Sequence, residues 1–131
     1  MRIENTSRYT TKELRPVFSQ VIKSAPLGRS RTWLNGKGGL YIMVQNAKRS
    51  RVRGRIYPNA ITITRKGKEI PVRGYIKLYV FAATTLKDIA HTFAHELSHF
   101  KDWYDYDFLS RGNIPYGQEK RARALGDRVI K

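Results

Sequence analysis

The sequence predicts a single α+β domain, residues 1–131, in which a helix, a short and mostly antiparallel sheet and two further helices follow one another. Three observations predict this fold. The chain has 131 residues, which is enough for one domain. Of these residues 40% are hydrophobic, a fraction typical of globular proteins. Apolar residues recur at helical spacing near the N-terminus, alternate in the middle of the chain, and return to helical spacing from Thr85.

The first element is predicted to be a helix, preceded by a loose N-terminal arm at residues 1–10. Thr10 or Thr11 offers an N-cap, and the sequence Ala25-Pro26-Leu27-Gly28 ends the helix. Residues 26–39 are then expected to form a loop. The apolar stripe of this helix comprises Leu14, Val17, Phe18, Val21 and Ile22.

The middle of the chain has the alternation that is typical of β-strands. Between three and five strands are expected, and short connections favour antiparallel pairing. The sequence Lys66-Gly67-Lys68 predicts a hairpin tip. The candidate strands are residues 40–44, 51–57, 60–64 and 75–81.

A second helix is predicted to begin after Thr85, which forms a capping-box pattern with Asp88 three residues later. Residues 105–117 are rich in turn formers and are expected to form a loop. A last helix is predicted from about Tyr116 or Gln118 to Val129. The apolar stripe of the second helix comprises Leu86, Ile89, Ala90, Phe93, Leu97, Phe100 and Tyr104.

The composition excludes several classes of protein. There is no cysteine, so a disulfide framework or a thiolate metal site is impossible. The N-terminus lacks the apolar stretch of a signal peptide, and no apolar run approaches the roughly 18 residues of a membrane span. The expectation is a soluble, cytoplasmic protein without membrane contact.

The net charge is unusually positive. Lysine and arginine number 26 against 10 acidic residues, which gives a formal charge of +16. The bias is strongest between Lys48 and Lys77, where Glu69 is the only acid. Such a surface attracts nucleic acid without conferring sequence specificity, so non-specific nucleic-acid contact is expected.

The chain has three histidines, His91, His95 and His99, spaced four residues apart on one predicted helix. They form a narrow stripe opposite the apolar one. Residues four apart are separated by about 6 Å along a helix axis, and residues eight apart by about 12 Å. Because zinc–nitrogen bonds measure about 2.0–2.1 Å, neighbouring histidines can share one ion, but His91 and His99 cannot.

Glu96 decides between the two possible histidine pairs. It directly follows His95 and completes the pattern HExxH, which ends at His99. In this pattern the two histidines bind zinc and the glutamate accepts a proton from the water that zinc activates. The matching position in the other pair is Thr92, which is not a base. His95 and His99 are therefore predicted to be metal ligands, and Glu96 the general base.

A third ligand must come from another segment, because one helix face cannot surround an ion. Without another histidine it is expected to be a carboxylate. Glu119 is the preferred candidate, since it begins the last predicted helix and is followed on the same face by the small residues Ala122 and Gly126. The competing acids are Asp102, Asp105 and Asp107. Of these, Asp102 is better placed to support the site than to bind the ion.

Two further residues lie near this predicted site. His91 is expected to line the cleft beside the metal as a surface or supporting residue. Tyr116 is close enough to Glu119 in sequence to help stabilise an oxyanion.

The motif His95-Glu96-Leu97-Ser98-His99, with Glu119-Lys120-Arg121-Ala122 after it, resembles the zincin superfamily of metallopeptidases. The similarity covers roughly residues 60–130 and is greatest to minimal gluzincins and SprT-like domains. It implies a sheet above the motif helix whose edge strand, here residues 75–81, pairs with an extended peptide substrate. It also implies Glu119 as the third ligand, whereas SprT-like domains use a third histidine that this chain lacks.

The sequence as a whole predicts a zinc-dependent metallopeptidase of the gluzincin type that acts on peptides or proteins. The alternative is a basic nucleic-acid-binding module with a vestigial or structural metal site. Salt-sensitive nucleic-acid binding that survives loss of His95 would favour the alternative.

Overall fold

The computed structural model describes residues 1–34, 39–48, 53–57, 61–108 and 117–129. It has a mixed α+β architecture, in agreement with the predicted class. In chain order its elements are β1 (Arg2–Asn5), α1 (Thr11–Ser24), α2 (Arg29–Leu34), β2 (Leu40–Asn46), β3 (Gly54–Tyr57), β4 (Ile61–Arg65), β5 (Lys68–Val72), β6 (Gly74–Val80), α3 (Leu86–Trp103) and α4 (Gln118–Val129).

Four strands form a mixed sheet in the order β1-β2-β6-β3. Strand β2 pairs in parallel with both β1 and β6, and only β3 pairs antiparallel, with β6. The expectation of a mostly antiparallel sheet is therefore wrong for this sheet. Helices α1 and α2 lie between β1 and β2 in sequence, and β3 to β5 lie between β2 and β6, which leaves enough chain for parallel crossovers.

The sequence pattern predicts a loose N-terminal arm at residues 1–10, but residues 2–5 are not loose. These residues form β1, with Arg2 opposite Tyr41 and Asn5 opposite Val44 of β2. Ile3 packs against the main core. Backbone pairing with the sheet edge and one apolar anchor hold this segment in place.

Helix α1 begins at a capping box. The Thr10 hydroxyl accepts a hydrogen bond from the Glu13 amide over 3.1 Å, and the Glu13 carboxylate accepts one from the Thr10 amide over 3.1 Å. The helix continues through Pro16 and ends with Ala25 as its C-cap. Part of the predicted loop at residues 26–39 is instead the short helix α2, and residues 35–38 lie outside the described part of the chain.

Alternation along the strands divides the sheet into two faces. The inner face carries Leu40, Ile42 and Val44 of β2 and Ile76 and Leu78 of β6, and helices α1 and α3 pack on it. This inner layer is the main core. Its two helices meet at an aromatic pair, since the rings of Phe18 and Phe93 have centroids 4.7 Å apart.

The outer face is partly covered by a two-stranded hairpin. Strands β4 and β5 pair antiparallel, and the connecting residues Lys66 and Gly67 both have positive φ, as a tight hairpin turn requires. The predicted hairpin tip is therefore confirmed. Ile63 and Val72 of the hairpin pack against a second, smaller cluster on the outer face that includes Tyr41 and Tyr75.

Helix α3 begins at the predicted capping box of Thr85 and Asp88 and continues into a π-helical turn at Tyr104–Phe108. Residues 105–108 of the predicted loop at 105–117 are thus helical, and residues 109–116 lie outside the part of the chain that the structure describes. Helix α4 starts at Gln118 and packs along α3. Among the described residues, no helix combines the length and apolar character that crossing a bilayer requires.

Candidate metal centre

The two predicted histidine ligands lie on consecutive turns of α3, at the mouth of a cleft. Their Nε2 atoms are 3.1 Å apart, and both rings are half-buried. The ring planes make an angle of 65° and are not stacked, and the short Nε2 contacts show that both rings point to a common position. Helical spacing makes this convergence possible, because residues four apart share one face.

Glu119 completes the cluster from α4. Its Oε1 lies 2.8 Å from His99 Nε2 and its Oε2 lies 3.1 Å from His95 Nε2. The preceding Gly117 has a φ of 88°, a left-handed conformation that suits glycine and brings the chain into α4. The acid preferred from the sequence thus comes within contact distance of both imidazoles.

The donor set fits a zinc ion. Tetrahedral zinc with bonds of about 2.0–2.1 Å places its ligand atoms about 3.3 Å apart. The three contacts between His95, His99 and Glu119 span 2.8 to 3.1 Å, so a small expansion of the triangle suits the ion. These three residues are also the group of His and acidic side chains, among the described residues, whose ligand atoms lie close enough together to hold a metal.

Burial influences the protonation of His95. Partial burial is the main cause that lowers the pKa of His95, and the neighbouring His99 lowers it further. The Glu119 carboxylate opposes this effect. The neutral imidazole is consequently favoured near neutral pH. That is the form that has a nitrogen lone pair for a metal.

Glu96 lies outside the triangle that His95, His99 and Glu119 form. Its side chain is largely buried beside β3, where a Cβ atom at Gly54 would lie 3.3 Å from Glu96 Oε1 and 2.8 Å from Thr92 Cγ2. Burial, and secondarily the charge of Glu119, raise the pKa of Glu96 to about 7. A carboxyl group with this pKa can both accept and release a proton near neutral pH.

The contact between β3 and α3 was not foreseen from the sequence. Gly54 lies close against the motif helix, and a side chain there would displace Thr92 or Glu96. A glycine inside a strand often marks such an approach. The presence of Gly54 between Arg53 and Arg55 in a predicted strand could have indicated a close approach. The neighbouring sequence did not indicate which helix Gly54 would face.

The expectation that residues 75–81 form an edge strand is wrong. Strand β6 is central, because β2 pairs with one side of it and β3 with the other. Strand β3 is the edge strand beside the candidate site. Among the described residues, no strand pairs with the far side of β3.

Helix α4 is held against α3 at three positions. Arg121 Nη2 donates to Asp102 Oδ2 over 2.9 Å. Ala122 is fully buried between the helices, and a Cβ atom at Gly126 would lie only 2.7 Å from His91 Nε2. The small residues therefore allow the close approach that Glu119 needs.

The competing acids have other partners. Asp102 is buried and binds Arg121, and Asp105 lies 2.7 Å from Lys101 Nζ. Neither belongs to the candidate metal cluster. The side chain of Asp107 lies outside the described part of the chain.

His91 lies beside the cluster and not in it. Its Nε2 is 3.0 Å from Asp127 Oδ1 of α4. Both residues line the same cavity as the candidate metal cluster, a cleft of about 750 Å³ that also includes Arg53 and Arg123. Tyr116, which the sequence suggested as an oxyanion partner, is outside the described residues.

The cleft thus combines two imidazoles and a carboxylate that converge on one point with a separate, buried carboxyl group on the adjoining wall. Such a set can bind a divalent cation and move a proton next to it. Comparisons of the chain with protein-family models, curated proteins and solved structures found no match.

Proposed function

We propose that this protein is a zinc-dependent metallopeptidase of the zincin type, with the ligand set His95, His99 and Glu119. The convergence of these three side chains from two helices carries the proposal, since their ligand atoms approach one another within 2.8 to 3.1 Å. A mixed sheet beside the motif helix and a third ligand from the following helix are consistent with a gluzincin-like arrangement. Zinc, when bound, would polarise a carbonyl group and acidify water.

Glu96 is the general base in this proposal. It is adjacent in sequence to one ligand yet outside the ligand triangle, on the wall that β3 forms. Its carboxylate takes a proton from water as the water oxygen adds to the carbonyl carbon. The same proton passes to the amide nitrogen as the carbon–nitrogen bond breaks, so Glu96 returns to its starting state.

A cation held by His95, His99 and Glu119 would favour the ionised form of Glu96. Without a metal, burial holds the pKa of this group near 7. A divalent cation bound by His95, one residue earlier, attracts the negative form and opposes the effect of burial. Glu96 is thereby ready to accept a proton at neutral pH.

The free side of β3 is the proposed place for an extended peptide. Gly54 of this strand lies against Glu96, so a peptide that pairs with β3 would run past the proposed base. Main-chain hydrogen bonds to an edge strand give affinity with little demand on sequence. The cleft of about 750 Å³ provides room for side chains on either side of the scissile bond.

Metal content and proteolysis of a fluorogenic peptide library test the proposal. The purified protein is expected to bind about one zinc per chain. Glu96→Gln is expected to retain zinc and lose cleavage by at least about a hundredfold. Glu69→Gln, the same change at an exposed acid of the hairpin, is the matched control and should retain both properties.

Two results would remove this function. A folded protein that takes up no zinc from a zinc-containing buffer would eliminate the metal site. A Glu96→Gln variant that cleaves peptides as fast as Glu69→Gln would eliminate Glu96 as the base.

A further inference from the structure

The outer side of the sheet carries a second chemical pattern, away from the metal cluster. In β6 the even-numbered residues Ile76 and Leu78 are buried in the main core, whereas Lys77 and Tyr79 are partly exposed. In β3 the alternation is the same, since Arg55 and Tyr57 are exposed. Arg55 lies opposite Lys77 in the register of the two strands. We call Arg55, Tyr57, Lys77 and Tyr79 the outer β3–β6 face.

The hairpin leaves this face uncovered. Ile63 and Val72 cover Tyr41 and Tyr75, and the covered region ends before Tyr57. Tyr57 retains 39% of its accessible surface and is one of two large hydrophobic residues that are exposed among the described residues. A shallow depression of about 260 Å³ lies between the hairpin and Tyr57, lined also by Arg65, Tyr75 and Lys77.

Aromatic rings and cations are interleaved around this depression. The rings of Tyr57 and Tyr75 have centroids 5.6 Å apart, and Lys77 Nζ lies 5.8 Å from the centroid of Tyr75. Arg65 Nη2 donates to the Tyr75 hydroxyl over 3.2 Å. Tyr57 therefore has neighbours that fix the shape of the depression while its own ring remains accessible.

Acidic groups are scarce on this side of the sheet. Glu4 of β1 is the one acid in the four strands of the mixed sheet, and it is bound by Arg65 over 2.8 Å and by the Tyr41 hydroxyl over 2.8 Å. Glu69 is the one acid in the two strands of the hairpin. Arg55 and Lys77 have no ion pair with any acid in the described part of the chain. The face thus has uncompensated positive charge next to an exposed ring.

We propose that the outer β3–β6 face binds single-stranded nucleic acid. Unpaired bases stack on aromatic side chains while lysine and arginine neutralise the phosphates, and this combination is sequence-tolerant. A second copy of the chain is a poor occupant, because both copies carry a charge of +16 and repel each other. A membrane surface is a poor one as well, since the face offers one exposed ring and no apolar patch.

The proposed binding face is independent of the metal cluster. Gly54 faces Thr92 and Glu96 on the inner side of β3, and the next residue, Arg55, faces the outer side. Substitutions at Tyr57 or Lys77 consequently leave the cleft residues untouched. A substitution at Lys77, which lies outside both the cleft and the peptide-pairing strand, should therefore weaken nucleic-acid binding without loss of peptide cleavage.

Fluorescence anisotropy with labelled oligothymidylate and oligouridylate of about 16 nucleotides tests the proposal at several salt concentrations. Tyr57→Ala should weaken binding at least about fivefold, the loss of one base–aromatic stack, whereas Tyr57→Phe should bind like the wild type. The double variant R55Q/K77Q should lower both the affinity and the salt dependence. The comparison of the two oligonucleotides shows whether DNA or RNA is preferred.

The matched charge control is K12Q/R15Q, which removes two exposed cations from α1 on the other side of the sheet. If it weakens binding as much as R55Q/K77Q, or if Tyr57→Ala binds like the wild type, the binding face is elsewhere. Absence of binding at low salt overturns the proposal outright. Self-association that Tyr57→Ala abolishes, measured by sedimentation, would identify the face as a contact between copies and overturn it too. Glu96→Gln should bind nucleic acid normally, whatever its peptidase activity.

Discussion

Arg121 of α4 donates a hydrogen bond to the buried carboxylate of Asp102 on α3, with an Nη2–Oδ2 distance of 2.9 Å. Two residues before Arg121 on the same helix, Glu119 reaches both histidine rings. The pair therefore fixes the position of α4 at the end that carries Glu119, the predicted third ligand. Asp102, which competed with Glu119 for the ligand role in the sequence, instead holds the helix that carries Glu119.

We predict that Arg121→Gln weakens zinc binding without removing a ligand. Loss of this pair lets the first turn of α4 move away from α3, and changes in groups that hold a ligand typically cost about 10–100-fold in metal affinity. Competition with a chromophoric chelator measures the dissociation constant. Arg128→Gln, an exposed arginine on the same helix, is the matched control and should bind zinc like the wild type.

Zinc-dependent thermal stability provides a second measurement of the same prediction. A metal at 100 times its dissociation constant stabilises the native state by about 2.7 kcal/mol. The rise in melting temperature on adding a fixed concentration of zinc should be smaller for Arg121→Gln than for Arg128→Gln. Equal rises would show that the Asp102–Arg121 pair does not position Glu119.

The sequence was sufficient to predict the motif helix and the last helix, because both depend on local patterns. Thr85 and Asp88 form the predicted capping box, and helical spacing places His95 and His99 on one face, where their rings converge. Glu119 was harder to choose, since its selection rested on the shortage of histidine and on small residues in α4. In the structure it lies within contact distance of both rings, while its role as a ligand stays a prediction.

Pairings between distant segments could not be derived in this way. The alternation of residues 75–81 identifies a strand but does not say whether the strand is central or at an edge. Strand β6 is central because β2 pairs with one of its sides and β3 with the other. The proximity of Gly54 to Glu96 follows from that same order, and no periodicity in the sequence encodes it.

We predict an energetic coupling between His91 and Gly126. A methyl group at Gly126 would lie 2.7 Å from His91 Nε2, so Gly126→Ala forces the ring away from Asp127 or displaces α4. Alanine in a helix is otherwise favoured over glycine by about 1 kcal/mol. Gly126→Ala should therefore stabilise the protein more in a His91→Ala background than in the wild type.

A double-mutant cycle from urea unfolding measures this coupling. The free energies of unfolding of the wild type, His91→Ala, Gly126→Ala and the double variant should differ from additivity by on the order of 1 kcal/mol. Additive effects would mean that the His91 ring relaxes freely and does not limit how closely α4 approaches α3.

We predict that Asp88→Asn destabilises the protein in a pH-dependent manner. The Thr85 amide donates to Asp88 Oδ2 over 2.9 Å, and this bond is the main cause that lowers the pKa of Asp88 below its ordinary value of 3.8. Burial opposes the shift, while Thr85 Oγ1 and the nearby Arg53 and His91 add to it. A lowered native pKa means that the carboxylate stabilises the fold above pH 3.8 and that this contribution disappears as the pH falls through the native value.

Urea unfolding of the wild type and Asp88→Asn at about pH 7 and about pH 3 checks the sign. The difference in unfolding free energy should be largest at neutral pH and smaller in acid. Thr85→Ala is the comparison variant, because it removes the hydroxyl that accepts a hydrogen bond from the Asp88 amide. It should lower the free energy of unfolding by about 1 kcal/mol at neutral pH. Its effect should depend less on pH than that of Asp88→Asn, since the carboxylate and the backbone amide at position 85 both remain. If Asp88→Asn lowers the unfolding free energy equally at both pH values, the negative charge of Asp88 does not contribute to the capping of α3.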